Sequence, residues 1–287
     1  MNKKLPLPLI LLSTFLAVQV QRTFGTHVSA NGHALRVRAL GSGSPCVVFE
    51  LPGVAPLEGW SPIQARVAGF TRTFAYDHAG YWGSEEGPEP RDARAIASDL
   101  HAALQRAGIP PPYVLVGGSF GGPLVRVFAG TYPNDVAGMV LLDPTQEKFV
   151  SALRLLHPGI NVASPEDLAA KNEWGCSDAS LAQASATDLL PPMPMTLVTA
   201  NGNPDHKPFL AEVLPLKLAE HRRWIAQYPH ARHVIVDCGH AVQIDRPELC
   251  VDLIRDIVVE VRTQHSGRAH SEQGEVAVTG SGAGSGK

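Results

Sequence analysis

Tyr113-Val-Leu-Val-Gly117-Gly118-Ser119-Phe120-Gly121-Gly122-Pro123 is the stretch on which the reading of this chain turns. An apolar run enters the pentapeptide G-x-S-x-G, Gly117 to Gly121, and a proline follows where the first turn of a helix would tolerate it. Glycine and serine are common, so the pentapeptide alone says little. Between a strand and a helix it says more. A serine on so tight a turn has an unfavourable backbone conformation, and side chains at its neighbours would clash across the turn. The glycines relieve that crowding. The Ser119 hydroxyl is then held above the sheet, and the Phe120 N–H is presented at a helix N-terminus where it can meet a developing oxyanion.

Outward from this turn, short apolar runs alternate with helical segments. The runs are Cys46–Glu50, 73–77, 113–117, 139–143, Met195–Ala200 and 233–237, each bounded by Gly, Pro, Asp or Asn. Such runs suit strands buried on both faces of a parallel sheet. Residues 92–107 set Ala93, Ile96, Ala97, Leu100, Ala103 and Leu104 at helical spacing and stop at Gly108. Residues 123–132 and 247–261 read as further helices that open on proline. Ahead of them, 24–30 and 33–40 flank Asn31-Gly32, a hairpin signal because both turn positions tolerate positive φ. The pattern predicts an α/β fold, a doubly wound and mostly parallel sheet led by an antiparallel hairpin.

One connection is far too long for a loop. Residues 144–194 put about fifty positions between two strands, where a handful plus a crossover helix is usual. Amphipathic pieces at Glu147–Leu156 and 165–172 make it a helical insertion lying over one end of the sheet. The expected organisation is therefore a core of 24–143 and 195–262, a cap of 144–194, and a tail of 263–287 too polar to order itself.

The first 20 residues carry Lys3 and Lys4 ahead of an apolar run too short and too interrupted for a spanning helix. A secretory signal fits, with an uncleaved anchor as the alternative; 1–23 is set apart from the core, and Thr23-Phe24-Gly25 is the candidate cleavage site. Export to the periplasm or medium would allow Cys46, Cys176, Cys238 and Cys250 to pair, Cys238 with Cys250 being the pair to test first. Their spacing does not suggest zinc. With 24 Lys and Arg against 27 Asp and Glu, the chain lacks the basic excess of a nucleic-acid protein, and no other stretch approaches membrane-spanning length.

A serine hydroxyl needs a base. Of the 12 histidines, His240 in Cys238-Gly239-His240 lies just beyond the last apolar run, at the same end of the sheet as Ser119. His78 and His206 also fall on loops at that end, within reach of a substrate or as plain loop residues. The base in turn needs a carboxylate. Asp205, after Met195–Ala200, and Asp143, closing the preceding run, both fit the chain order, and Asp205 is placed first. The second oxyanion donor is expected after Cys46–Glu50. Pro52 has no N–H, so Gly53 is the candidate, with Val54 next. Trp60, Tyr81 and Trp82 lie on loops at this end and could wall an apolar pocket, or simply pack.

The run Tyr76-Asp77-x-Ala79-Gly80-Tyr81, then G-x-S-F-G-G, then a Gly-His pair before a Pro-Glu helix start resembles the α/β-hydrolase fold superfamily, and within it the bacterial serine-hydrolase branch. The resemblance covers 24–262. It implies an eight-stranded sheet, a cap after the sixth strand, and a Ser–acid–His triad with neither metal nor organic cofactor. In it Ser119 takes the nucleophile position, His240 the base, and Gly53 with Phe120 the oxyanion hole. The chain departs from many relatives at Pro52, His78, Trp82-Gly83 and Gly118. Dehalogenase and epoxide-hydrolase branches place Asp where this chain has Ser119. The expected activity is hydrolysis of a small-molecule carboxylic ester. An aminopeptidase, amidase or acyltransferase on the same triad is one alternative, and a ligand-binding protein that keeps the fold without turnover is another.

Overall fold

The computed structural model describes residues 26–156, 172–187, 190–202 and 208–279. Its centre is one eight-stranded sheet in the order β1-β2-β4-β3-β5-β6-β7-β8. The strands are β1 (Thr26–Ala30), β2 (His33–Leu40), β3 (Cys46–Glu50), β4 (Thr73–Tyr76), β5 (Tyr113–Gly118), β6 (Val136–Leu142), β7 (Met195–Ala200) and β8 (Arg232–Val236). β3 to β8 pair in parallel, while β1 with β2 and β2 with β4 are antiparallel. Asn31 and Gly32 turn the leading hairpin at φ +50° and +94°, as their residue types require.

The helices are α1 (Ser61–Val67), α2 (Ala93–Arg106), α3 (Gly121–Thr131), α4 (Glu147–Leu156), α5 (Ser177–Ala186), α6 (Pro208–Ile225), α7 (Val242–Asp245) and α8 (Pro247–Thr279). The central strand explains the double winding. β5 is buried throughout, and alternate side chains point to opposite faces. Tyr113 and Leu115 join Ile96, Leu100 and Leu104 of α2 and Leu124 and Phe128 of α3 on one face. Val114 and Val116 join Ile63 and Val67 of α1 and Ile254, Ile257 and Val258 of α8 on the other. An uninterrupted apolar run is what two covered faces demand.

Local chemistry sets the helix ends. The Asp92 carboxylate accepts from the Ala95 N–H at 3.0 Å and caps α2, and Gly108 ends it at φ +66°. Between β6 and β7, α5 docks on the core. Ser180 Oγ accepts from the Ala93 N–H, and Arg126 of α3 donates to the Ala184 carbonyl, both at 2.9 Å.

Two expectations need correcting, and one helix was not foreseen. α8 continues through Thr279, past residue 263 where order was expected to end. No proline follows Pro247, so each added turn costs little once the buried half has nucleated the helix. All four cysteines are buried, with Cys46 and Cys250 inside the two core clusters, and no disulfide is formed among the described residues. A helix absent from the sequence reading, α6, spans Pro208–Ile225 despite an internal Pro215. Residues 1–23 and most of 165–172 lie outside the described residues.

Candidate active site

Ser119 follows β5 at φ +53°, a left-handed conformation that a non-glycine residue adopts only under constraint. The constraint is visible. The Ser119 N–H donates to the Leu142 carbonyl at 3.1 Å, and its own carbonyl accepts from Gly122 and Thr145 at 3.0 and 2.9 Å. The flanking glycines are steric necessities. A Cβ on Gly121 would collide with the Glu50 carbonyl, and one on Gly117 would lie 2.8 Å from the Gly121 carbonyl. Gly118 backs onto Leu51 and the Trp60 ring, which fill the space a side chain there would need.

On one flank of β5, three elements converge on Ser119. His240, on the loop between β8 and α7, takes the Ser119 hydroxyl hydrogen bond on Nε2 at 2.8 Å. Its Nδ1–H donates to Asp143 Oδ2 at 2.6 Å. Asp143 closes β6 at φ +46° and is 1% exposed. The Ala200 N–H at the end of β7 donates to its Oδ1 at 3.0 Å, and Lys217 of α6 approaches both oxygens at 3.0 Å. Burial alone would push the Asp143 carboxyl up, but the His240 hydrogen bond and the Lys217 charge outweigh it and hold it below the usual carboxylate range. The His240 loop is itself anchored, because Gly239 N–H donates to Asp245 Oδ2 at 2.7 Å. A cavity of about 500 Å³ opens here, lined by Asp143, Phe149, Val213, Leu214, Lys217 and His240.

The other flank carries a second histidine. His78, after β4, is buried between Glu173 on Nδ1 at 2.7 Å and Glu50 on Nε2 at 2.5 Å. Burial would drive its proton off, yet the two carboxylates win and lift it to about 10. Tyr76 donates to the other Glu50 oxygen at 2.6 Å, and Glu173 Oε1 accepts from the Gly53 N–H at 2.7 Å. Gly53 is glycine for that approach. A Cβ would strike Glu173 and come within 2.8 Å of the Tyr81 ring. Trp82 Nε1 donates to the Gly53 carbonyl at 3.0 Å, and Trp174 lies against Phe120 with ring centroids 6.1 Å apart.

These distances are joined by what the chain is similar to. The sequence profile described as alpha/beta hydrolase fold matches residues 58–168. Uncharacterized protein YqjL of Bacillus subtilis (strain 168) is 34% identical over 104 residues, 36% of this chain and 41% of its own length. The matched stretches span only 16 to 41% of the curated relatives' lengths. A thermophilic esterase from Thermogutta terrifontis superposes with a TM-score of 0.58 at 18% identity, over 83% of this chain and 98% of that one. The enol-lactonase from Burkholderia xenovorans LB400 does so with a TM-score of 0.57 at 16% identity, over 82% of this chain and all (100%) of the other. The chain has the α/β-hydrolase fold.

Within this α/β-hydrolase fold the sequence-predicted residues fall as follows. Ser119 and His240 are in direct contact, and Asp143 is the carboxylate on His240. Asp205, placed ahead of Asp143 by the sequence, lies outside the described residues, as does His206. The Phe120 N–H has no acceptor among the described residues, whereas the Gly53 N–H is taken by Glu173. Trp60 is not a pocket wall. It is 1% exposed and packs on Phe49 at 4.8 Å beneath the serine turn. Tyr81 and Trp82 instead brace the Gly53 loop.

Sequence reasoning missed Glu50 and Lys217, and gave Glu173 no role beside His78. Glu50 gave a signal, being a carboxylate inside a strand whose every residue is buried, which demands a partner. His78 supplies it.

Proposed function

We propose that this α/β-hydrolase is a serine hydrolase that cleaves small carboxylic esters through an acyl-enzyme, exported by its N-terminal segment. One observation carries the reading. A continuous hydrogen-bonded chain runs from Ser119 Oγ through His240 to a buried, ionised Asp143, beside an unengaged N–H at the start of α3.

The chemistry follows from the atoms. Ser119 Oγ attacks the acyl carbonyl carbon while its proton passes to His240 Nε2. Asp143 stabilises the imidazolium through Nδ1–H. The carbonyl oxygen takes the negative charge and accepts from the Phe120 N–H, where the helix N-terminus favours an anion. Gly53 N–H becomes the second donor when Glu173 releases it. The tetrahedral intermediate collapses, the ester C–O bond breaks, and His240 gives its proton to the departing alkoxide. A water then repeats the sequence on the acyl group and frees the acid.

A fluorophosphonate tests this without knowledge of the substrate. Intact mass and peptide mapping should find one adduct per chain, on Ser119, and none in Ser119→Ala or His240→Ala proteins that melt like the parent. A folded parent that stays unlabelled would reject the reading.

A further inference from the structure

Besides the His240 imidazole, Lys217 is, among the described residues, the one basic side chain that reaches Asp143. Its Nζ lies 3.0 Å from each carboxylate oxygen and donates to the Ala200 carbonyl at 2.6 Å. It therefore ties the ends of β6 and β7 together across the acid of the triad. The electrostatic consequence is larger than the mechanical one. An unclamped aspartate would offer His240 a full negative charge. With Lys217 in place, the Asp143 and Lys217 charges cancel, in a spot where Asp143 is 1% exposed and screening is weak. An imidazolium at His240 is then harder to form.

The other groups around this point do not supply that effect. Asp245 of α7 is occupied by the Gly239 N–H, and Arg246 after α7 donates to the Asp237 carbonyl. Cys238 is a thiol whose ionisation burial opposes. His221 of α6 sits between Thr199 and the Pro144 carbonyl, and burial pushes it down to about 4, so it is neutral.

We propose that Lys217 is a positioning residue of this triad, clamping Asp143 and offsetting its charge so that His240 remains a neutral base to lower pH than an unclamped pair would allow. This rests on the serine-hydrolase reading of the same site. It predicts that the enzyme holds its reactivity on the acid side at some cost in imidazolium stabilisation.

The rate of fluorophosphonate reaction at Ser119, followed from pH 4 to 9, tests it. Lys217→Met should move the acid-side midpoint up by about one pH unit, because removing a neighbouring cation eases protonation of His240. Lys217→Arg should leave the midpoint where the parent has it. Lys217→Gln, which keeps a donor without the charge, should follow the Met variant, and it replaces that variant if Lys217→Met fails to fold. A rate lowered equally at all pH values with an unmoved midpoint would reduce Lys217 to packing and overturn the proposal. Titration of the His240 imidazole by NMR, assigned against His240→Gln, reads the same shift with no reagent. It decides the role of Lys217 even if Ser119 proves unreactive.

Discussion

Two histidines flank β5 at the same end of the sheet, and they are held in opposite ways. His240 has one carboxylate, one hydroxyl and a side chain 62% exposed. His78 has two carboxylates and a side chain 3% exposed. A proton on His78 neutralises one of two buried anions and is lifted to about 10, so it stays. His240 faces a single carboxylate, which Lys217 already shares. One fold thus builds a fixed cation on one side of its serine and an open, singly paired imidazole on the other, through the number of facing carboxylates and their existing partners.

The largest expected effect breaks the His240 side. Asp143→Asn should slow labelling and turnover by about 10⁴-fold, because a neutral amide neither fixes the Nδ1–H tautomer nor stabilises the imidazolium. Asp205→Asn should leave both rates unchanged. Rates measured side by side on the two variants decide which acid serves His240. A large loss in Asp205→Asn with a mild one in Asp143→Asn would reverse the assignment.

The two sides also differ in how far the sequence exposed them. Tyr113 to Gly122 could be read because strand, turn and helix are contiguous, and the steric reason for each glycine is local. His240 followed from the rule that loops after parallel strands share one end of the sheet. The acid could not be chosen that way. Asp143 and His240 are 97 positions apart, and two adjacent strands each end near an aspartate, so only packing says which one turns inward. The His78 side needs Glu173 from the insertion, whose path no periodicity dictates. Lys217 was hidden by Pro215, which breaks the helical pattern around it.

The next effect falls on the fixed side and appears in stability. Removing the cation with His78→Leu leaves Glu50 and Glu173 buried without a counter-charge, at a cost of about 3–5 kcal/mol. His240→Ala, at an exposed position, should hardly change the melting temperature. The parent should also lose stability toward alkali. The His78 contribution is complete below the free imidazole value near 6.5 and disappears as pH rises through about 10. Melting temperatures measured from pH 6 to 10.5 should fall along that range in the parent and lack this component in His78→Leu. An identical alkaline decline in both proteins would mean His78 is not the group that titrates.

The smallest effect joins the two sides at Gly53. Its N–H is the sequence-predicted oxyanion donor, yet it holds the Glu173 carboxylate that also holds His78. A carboxylate at that amide occupies the place an oxyanion would take and repels one nearby. Glu173→Gln keeps the shape but substitutes a neutral oxygen, a weaker acceptor by about half. The Gly53 amide should then exchange more readily to an incoming carbonyl, and Ser119 should react roughly fivefold faster with the fluorophosphonate. The same change removes a counter-charge from His78, so the melting temperature should drop and the alkaline decline should start at lower pH. Slower labelling in Glu173→Gln would mean that the carboxylate serves the serine by holding Gly53 in place, and that the second donor is another amide such as Val54. Either rate, read beside the melting curve, separates a group that covers the oxyanion donor from one that shapes it.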